Sequence, residues 1–283
     1  MSVACQTSKN TQVKPPFNPA PGIPGRYSFA PTGSAFVKKI MNYSEYDREM
    51  AILKEIRRGN IPNFLRKFQP ITVQTTLKTG VQVKATIWVS PDYLAIGSDK
   101  DFVRLPMNPV TAQWIADHFA CVLPTVKIVD QIYGQAPIKL VPVPFKPSKK
   151  MVHTSQYVEH NEAINRQLAR VKSQGRLVAG HKKDVVISNR LNRKKGKVAI
   201  YGWHRANGKA IQPLSTIHGN YYADYSHGIR LVAGMMLVNN ILLPVAEVLQ
   251  DPQLAPLLSY EGTIKWTRYA TENAVKRKRW APR

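Results

Sequence analysis

Cysteine is scarce. Cys5 and Cys121 are the only two in 283 residues, so at most one disulfide can form and a disulfide-held scaffold is excluded. Acidic residues are also few: 17 Asp and Glu stand against 41 Lys and Arg, a formal net charge of +24. Such an imbalance points to a polyanionic partner or a negatively charged surface. Long apolar runs are missing. The best stretch, Ile229 to Val248, is broken by Arg230, Asn239, Asn240, Pro244 and Glu247, which argues against a transmembrane helix. No apolar segment precedes a cleavage site near the N-terminus, so a complete secretory signal is not expected. The sequence carries no Gly-x-Ser-x-Gly elbow and no phosphate-loop or dinucleotide fingerprint. Zinc-finger spacing, an aromatic-rich RNA-binding strand and a GxxG clamp beside a helix are absent too. What remains is 43% hydrophobic with five Trp, enough for a sizeable core and too apolar for a disordered or collagen-like chain.

Residues 1–35 carry six prolines and few large aliphatics, and are expected to be a disordered arm or tether. Within it, Ser2-Val3-Ala4-Cys5 resembles the end of a bacterial lipoprotein signal, where a small residue precedes the Cys that takes lipid. That resemblance implies a secreted or envelope-anchored lipoprotein. Residues 36–145 read as a helix and hairpin scaffold. Ser44 and Asp47 open a helix whose apolar residues Tyr46, Met50, Leu53 and Ile56 recur at helical spacing, with Gly59 as its stop. Ile71 to Val89 alternates around Lys78-Thr79-Gly80 as a hairpin. Short strands are expected at Tyr93–Ile96 and Phe102–Leu105. Helices should begin at Pro109 and after Thr125.

The segment Pro137 to Pro147 reads as a boundary, and residues 146–283 as a second half, separate from 36–145 or continuous with it. That half should hold a helix with Ile164, Leu168 and Val171 on one face, then several short strands. Leu237 to Gln250 is expected to be helical in two pieces around Pro244. Strands and helices mix without regular alternation, which predicts an α+β fold of short-stranded sheets with flanking helices.

The charge is not spread evenly. Residues 146–213 hold 16 Lys or Arg against Glu159, Glu162 and Asp184, a net +13, while 1–145 carry +8 and 214–283 carry +3. Lys182-Lys183 and the run Arg190 to Lys197 are not interleaved with acids, as a merely solvated face would be.

The same half holds His181, His204, His218 and His227 within 47 residues, each beside or near a glycine, a pairing typical of turns and strand ends that line sites. His204, His218, Asp224, Tyr225 and His227 are the candidate catalytic residues. Lys182, Lys183, Trp203 and Arg230 are candidates for holding the substrate. Two imidazoles and a carboxylate, His218, Asp224 and His227, form a candidate ligand set for one divalent metal, zinc favoured. The His-x5-Asp spacing resembles the zinc-binding element of peptidoglycan peptidases that cut D-alanyl bonds, although those have a longer interval and a His-x-His pair that is missing here. Strand alternation separates Asp224 from His227, so sharing a site requires a turn between them. A metal-free arrangement uses the same residues. His227 is then the base, Tyr225 or His204 the acid, and Arg230 or a Lys the partner of a substrate carboxylate. Cys121, late in an apolar helix, reads as a buried inert thiol.

The leading expectation is an exported or envelope-associated enzyme, a metal-assisted hydrolase or a metal-free polysaccharide lyase, that degrades peptidoglycan or an acidic polysaccharide. The alternative is a non-catalytic nucleic-acid or polyanion-binding protein within a larger assembly.

Overall fold

A computed structural model describes residues 21–271. Its helices are α1 (Gly33–Ile40), α2 (Glu45–Arg57), α3 (Pro109–His118), α4 (Val126–Gln135), α5 (Thr154–Leu168) and α6 (Val245–Gln250). The strands up to the middle of the chain are β1 (Gln69–Thr76), β2 (Gln82–Val89), β3 (Ala95–Gly97), β4 (Phe102–Arg104), β5 (Cys121–Val122) and β6 (Ile138–Lys139). Beyond them lie β7 (Val178–Ala179), β8 (Lys183–Val185), β9 (Ile200–His204), β10 (Ala210–Ser215), β11 (His227–Gly228), β12 (Val232–Ala233), β13 (Met235–Val238) and β14 (Ile241–Pro244). This is a mixed α+β fold of short sheets.

Local chemistry explains several boundaries. The Ser44 hydroxyl accepts the Asp47 amide at 3.1 Å and so caps α2, while Gly59 takes a φ of +79° just after the helix. Asn108 caps α3 by accepting two amides ahead of Pro109, and Thr125 caps α4. The β1–β2 hairpin turns at Gly80, whose φ is +82°.

The largest sheet runs β14-β13-β2-β12-β5, with β1 paired to β2. Strands from both halves of the sequence therefore share one ladder, and one apolar cluster reaches from Phe36 to Tyr269. A second sheet, β10-β9-β8-β11, carries His204 and His227. Short hydrogen-bonded pairs β3–β4 and β6–β7 flank these two.

Three expectations change. Residues 21–35, read as part of the arm, are packed. Gly22 donates to the Phe119 carbonyl, Tyr27 to Glu55 at 2.7 Å, and Arg26 to Asn60 at 3.1 Å, and α1 follows with Phe36, Val37 and Ile40 buried. The rest of the arm, including Cys5, and the basic run Lys276–Arg279 lie outside the described residues. The stretch from Leu237 is not a helix until Val245. Asn239 and Asn240 adopt φ of +46° and +66°, closing a two-residue hairpin in which Val238 pairs with Ile241. The strand β10 also went unread. Among the described residues no helix is long and apolar enough to cross a membrane.

Candidate functional site

The site is built on the parallel pairing of β8 with β11, which sets His227 opposite Lys183 and Gly228 opposite Asp184. Just before β11 the chain turns. Asp224 Oδ1 accepts the Ser226 amide at 2.8 Å and its hydroxyl at 2.5 Å, and the His227 amide donates to the Asp224 carbonyl at 3.1 Å. This is the turn that strand alternation requires for Asp224 and His227 to share a site. Glycine is needed at 228, because a Cβ there would lie 2.6 Å from the Tyr93 ring and 2.9 Å from Lys182 Cβ.

His227 is buried, and neither of its ring nitrogens has a hydrogen-bond partner. Burial, with Lys183, His218 and Lys182 nearby, brings its pKa down to about 4 against the pull of Asp224. The Asp224 carboxyl is pushed up by burial, but His227, the Ser226 hydroxyl and Lys183 outweigh that and hold it below the usual range. In front stand two half-buried rings. His218 and Tyr222 stack with centroids 4.0 Å apart, and the Tyr222 hydroxyl donates to Asp224 Oδ2 at 3.1 Å. Tyr222 also meets His227 edge-on at 5.7 Å. Burial lowers the His218 pKa, helped by Lys183 and Lys197, so its imidazole is uncharged at neutral pH. The Tyr222 phenol is raised by burial and by Asp224, and keeps its proton. Lys183, partly buried, holds its ammonium 5.0 Å from the Trp203 ring centre.

The basic run is tied directly to this mouth. Val198 donates to the His218 carbonyl at 3.1 Å, Asn220 to the Gly196 carbonyl at 2.9 Å, and the Lys197 ammonium to the Ile217 carbonyl at 2.8 Å. Arg193, Lys194 and Lys195 remain exposed beside it.

Behind the mouth lies a buried polar network that sequence reasoning mostly missed. Asp92 accepts Arg104 through Nε (2.9 Å) and Nη2 (2.7 Å), and His181 Nε2 at 3.0 Å. Burial opposes the charge on Asp92, but Arg104 and His181 hold its carboxyl well below the usual range. Tyr93 donates to Asp184 at 2.7 Å, and burial raises the Asp184 pKa to about 6. His160, on the buried side of α5 with Tyr157 and Ile164, touches Lys182. A histidine in an apolar helical stripe was the available signal for His160. Ser90-Pro91-Asp92 offered none.

The candidates named from sequence divide between places. His218, Asp224 and His227 come together, joined by Lys183. His204 instead stacks on Tyr133 at 4.4 Å and hydrogen-bonds Asp130 at 3.0 Å, sharing that carboxylate with Tyr201. The cause is local: Gly202 and Trp203 have φ of +110° and +59°, which breaks strand alternation and sends Tyr201 and His204 to α4 while Trp203 meets His160 and Tyr225. Tyr225 is buried, its hydroxyl accepting the Phe145 amide at 2.7 Å. Arg230 is fully buried and spends its terminal nitrogens on the carbonyls of Ser90 and Val178, so it faces no ligand at the mouth. Lys182 is also buried. Burial raises the Cys121 thiol to about 12, leaving it inert. Among the described residues no three His, Cys, Asp or Glu are arranged to hold a metal ion. An open groove of about 700 Å³, lined by Asp99, Phe102, Asn165 and Lys172 among others, touches none of the site candidates.

Comparison with known protein families, curated proteins and solved structures finds no match to this chain.

Proposed function

We propose that this protein is an exported or envelope-associated lyase that breaks an acidic polysaccharide by β-elimination beside a uronate carboxylate. One observation carries the reading: a buried, uncharged His227 without partners sits with Asp224 directly behind the half-exposed His218–Tyr222 pair, and that pair is stitched to an exposed basic loop. Buried polar groups left unpaired are rare and concentrate where chemistry or ligands occur.

In this scheme Arg193, Lys194 and Lys195 hold the polyanion against the mouth. His218, uncharged, takes the proton from the carbon beside the carboxylate. The electron pair forms the carbon–carbon double bond and breaks the bond to the leaving sugar oxygen, which takes a proton from the Tyr222 hydroxyl. Acid and base stand side by side, as a syn elimination needs. Asp224 orients the phenol, and the Ser226 hydroxyl and Lys183 keep that carboxylate ionised.

Assay of uronate-containing polysaccharides for unsaturated chain ends, by their ultraviolet absorbance, tests the reading. Appearance of such ends supports it. Cleavage that leaves saturated ends, or no cleavage of any acidic polysaccharide, overturns it. The second reading, a polyanion or nucleic-acid binder without turnover, is favoured by the exposed Arg193, Lys194 and Lys195, which need no catalytic group to act.

A further inference from the structure

Lys182 is 1% exposed, and its ammonium touches only uncharged acceptors: the Tyr225 carbonyl at 2.7 Å and His160 Nδ1 at 3.2 Å. The carboxylates nearest in effect are engaged elsewhere. Asp92 serves Arg104, His181 and the Tyr93 amide, and Asp224 serves Ser226 and Tyr222. A buried ammonium without a counter-ion is costly and needs either neutralisation or an anion. Burial does bring this amine down to about 7, so both forms are populated at neutral pH.

Two further polar atoms around it are unmet. The Trp203 indole Nε1 and His160 Nε2 are buried with no partner, and their rings lie 6.1 Å apart. Trp203 is held close by its own amide, which donates to the Lys182 carbonyl at 3.1 Å, and it adopts a φ of +59° that a tryptophan rarely tolerates. Lys183 adds a second positive charge over the same indole. Phe145 stacks on Tyr225 at 4.7 Å and meets His160 edge-on at 5.6 Å, on an irregular segment that includes Pro142, Pro144 and Pro147.

We propose that Lys182, the Trp203 indole N–H and His160 form an internal receptor for one oxyanion of the substrate, roofed by Phe145. On the function proposed above, that oxyanion is a uronate carboxylate of the polymer. The same chemistry also accepts a phosphate oxygen.

The test is calorimetric titration of the full chain with glucuronate and, separately, with inorganic phosphate. The expected result is binding of at least one, weakened roughly tenfold or more in Lys182→Met and in Trp203→Phe, and unchanged in Lys78→Ala, an exposed position in the β1–β2 turn. Preference for glucuronate identifies a uronate source, and preference for phosphate a phosphorylated one. Trp203→Phe keeps the aromatic ring and removes only the donor, so a folding defect in Lys182→Met does not decide the outcome. Failure of both anions to bind, or full-strength binding by Trp203→Phe, overturns the receptor. Anion binding without polymer cleavage would instead sink the lyase reading and leave the receptor standing.

Discussion

The amide of His227 donates to the carbonyl of Asp224 at 3.1 Å, and that one bond converts what reads as a strand into a turn. Without it the carboxylate and the imidazole would point to opposite faces. With it they occupy one buried corner, behind the stacked rings of His218 and Tyr222.

His227 gives the corner a pH signature. Its folded pKa, about 4, lies below the ordinary value of 6.5, so the unfolded chain binds the extra proton first as pH falls. The contribution is complete above about 6.5 and is lost as pH falls from there to about 4. His227→Gln should therefore remove on the order of 3 kcal/mol of the acid-induced destabilisation across that window. Denaturant unfolding of both proteins at closely spaced pH values checks it, and parallel curves would show that His227 titrates normally.

The basic loop should act through charge alone. Reversing Arg193, Lys194 and Lys195 to Glu should weaken polyanion binding by roughly a hundredfold at low salt and flatten its salt dependence. Thermal stability should change little, because these side chains are exposed. Binding isotherms over a salt series provide the measurement, and an unchanged salt slope would place the polymer elsewhere.

Much of this was legible beforehand. Ser44, Gly80, Pro109 and Thr125 marked their elements because capping and left-handed turns depend on residue type at one position. The basic loop and the pair His218 and His227 were visible for a similar reason, since charge and imidazole are properties of composition. What stayed hidden depends on long-range contact. His204 was grouped with His227 by proximity along the chain, yet the left-handed Gly202–Trp203 step turns it toward Asp130 on α4. Arg230 reads as an anion binder in sequence, yet its terminal nitrogens donate to the carbonyls of Ser90 and Val178. The hairpin at Asn239–Asn240 was concealed because Met235 to Leu243 is apolar on both sides of the turn, which suits a helix equally well in sequence.

Close approach at Gly228 yields a stability prediction. Gly228→Ala forces a methyl against Tyr93 and Lys182, and should cost about 1–3 kcal/mol. A lowered midpoint in denaturant checks it, whereas an unchanged midpoint would mean that Tyr93 moves aside freely.

The proposed elimination uses side chains for every proton. Dialysis against a chelator should leave turnover unchanged, and offering zinc should not raise it. Loss of activity on chelation, restored by zinc, would instead move His218, Asp224 and His227 into a metal centre formed on binding.

The most direct test of the central claim separates turnover from binding in His218→Ala and His227→Ala. The account predicts that polysaccharide cleavage falls about a hundredfold or more in His218→Ala, and falls in His227→Ala as well, with polymer affinity within about twofold of the parent. Cleavage at the parent rate in His218→Ala would contradict it and leave a basic binding protein whose histidines serve the fold.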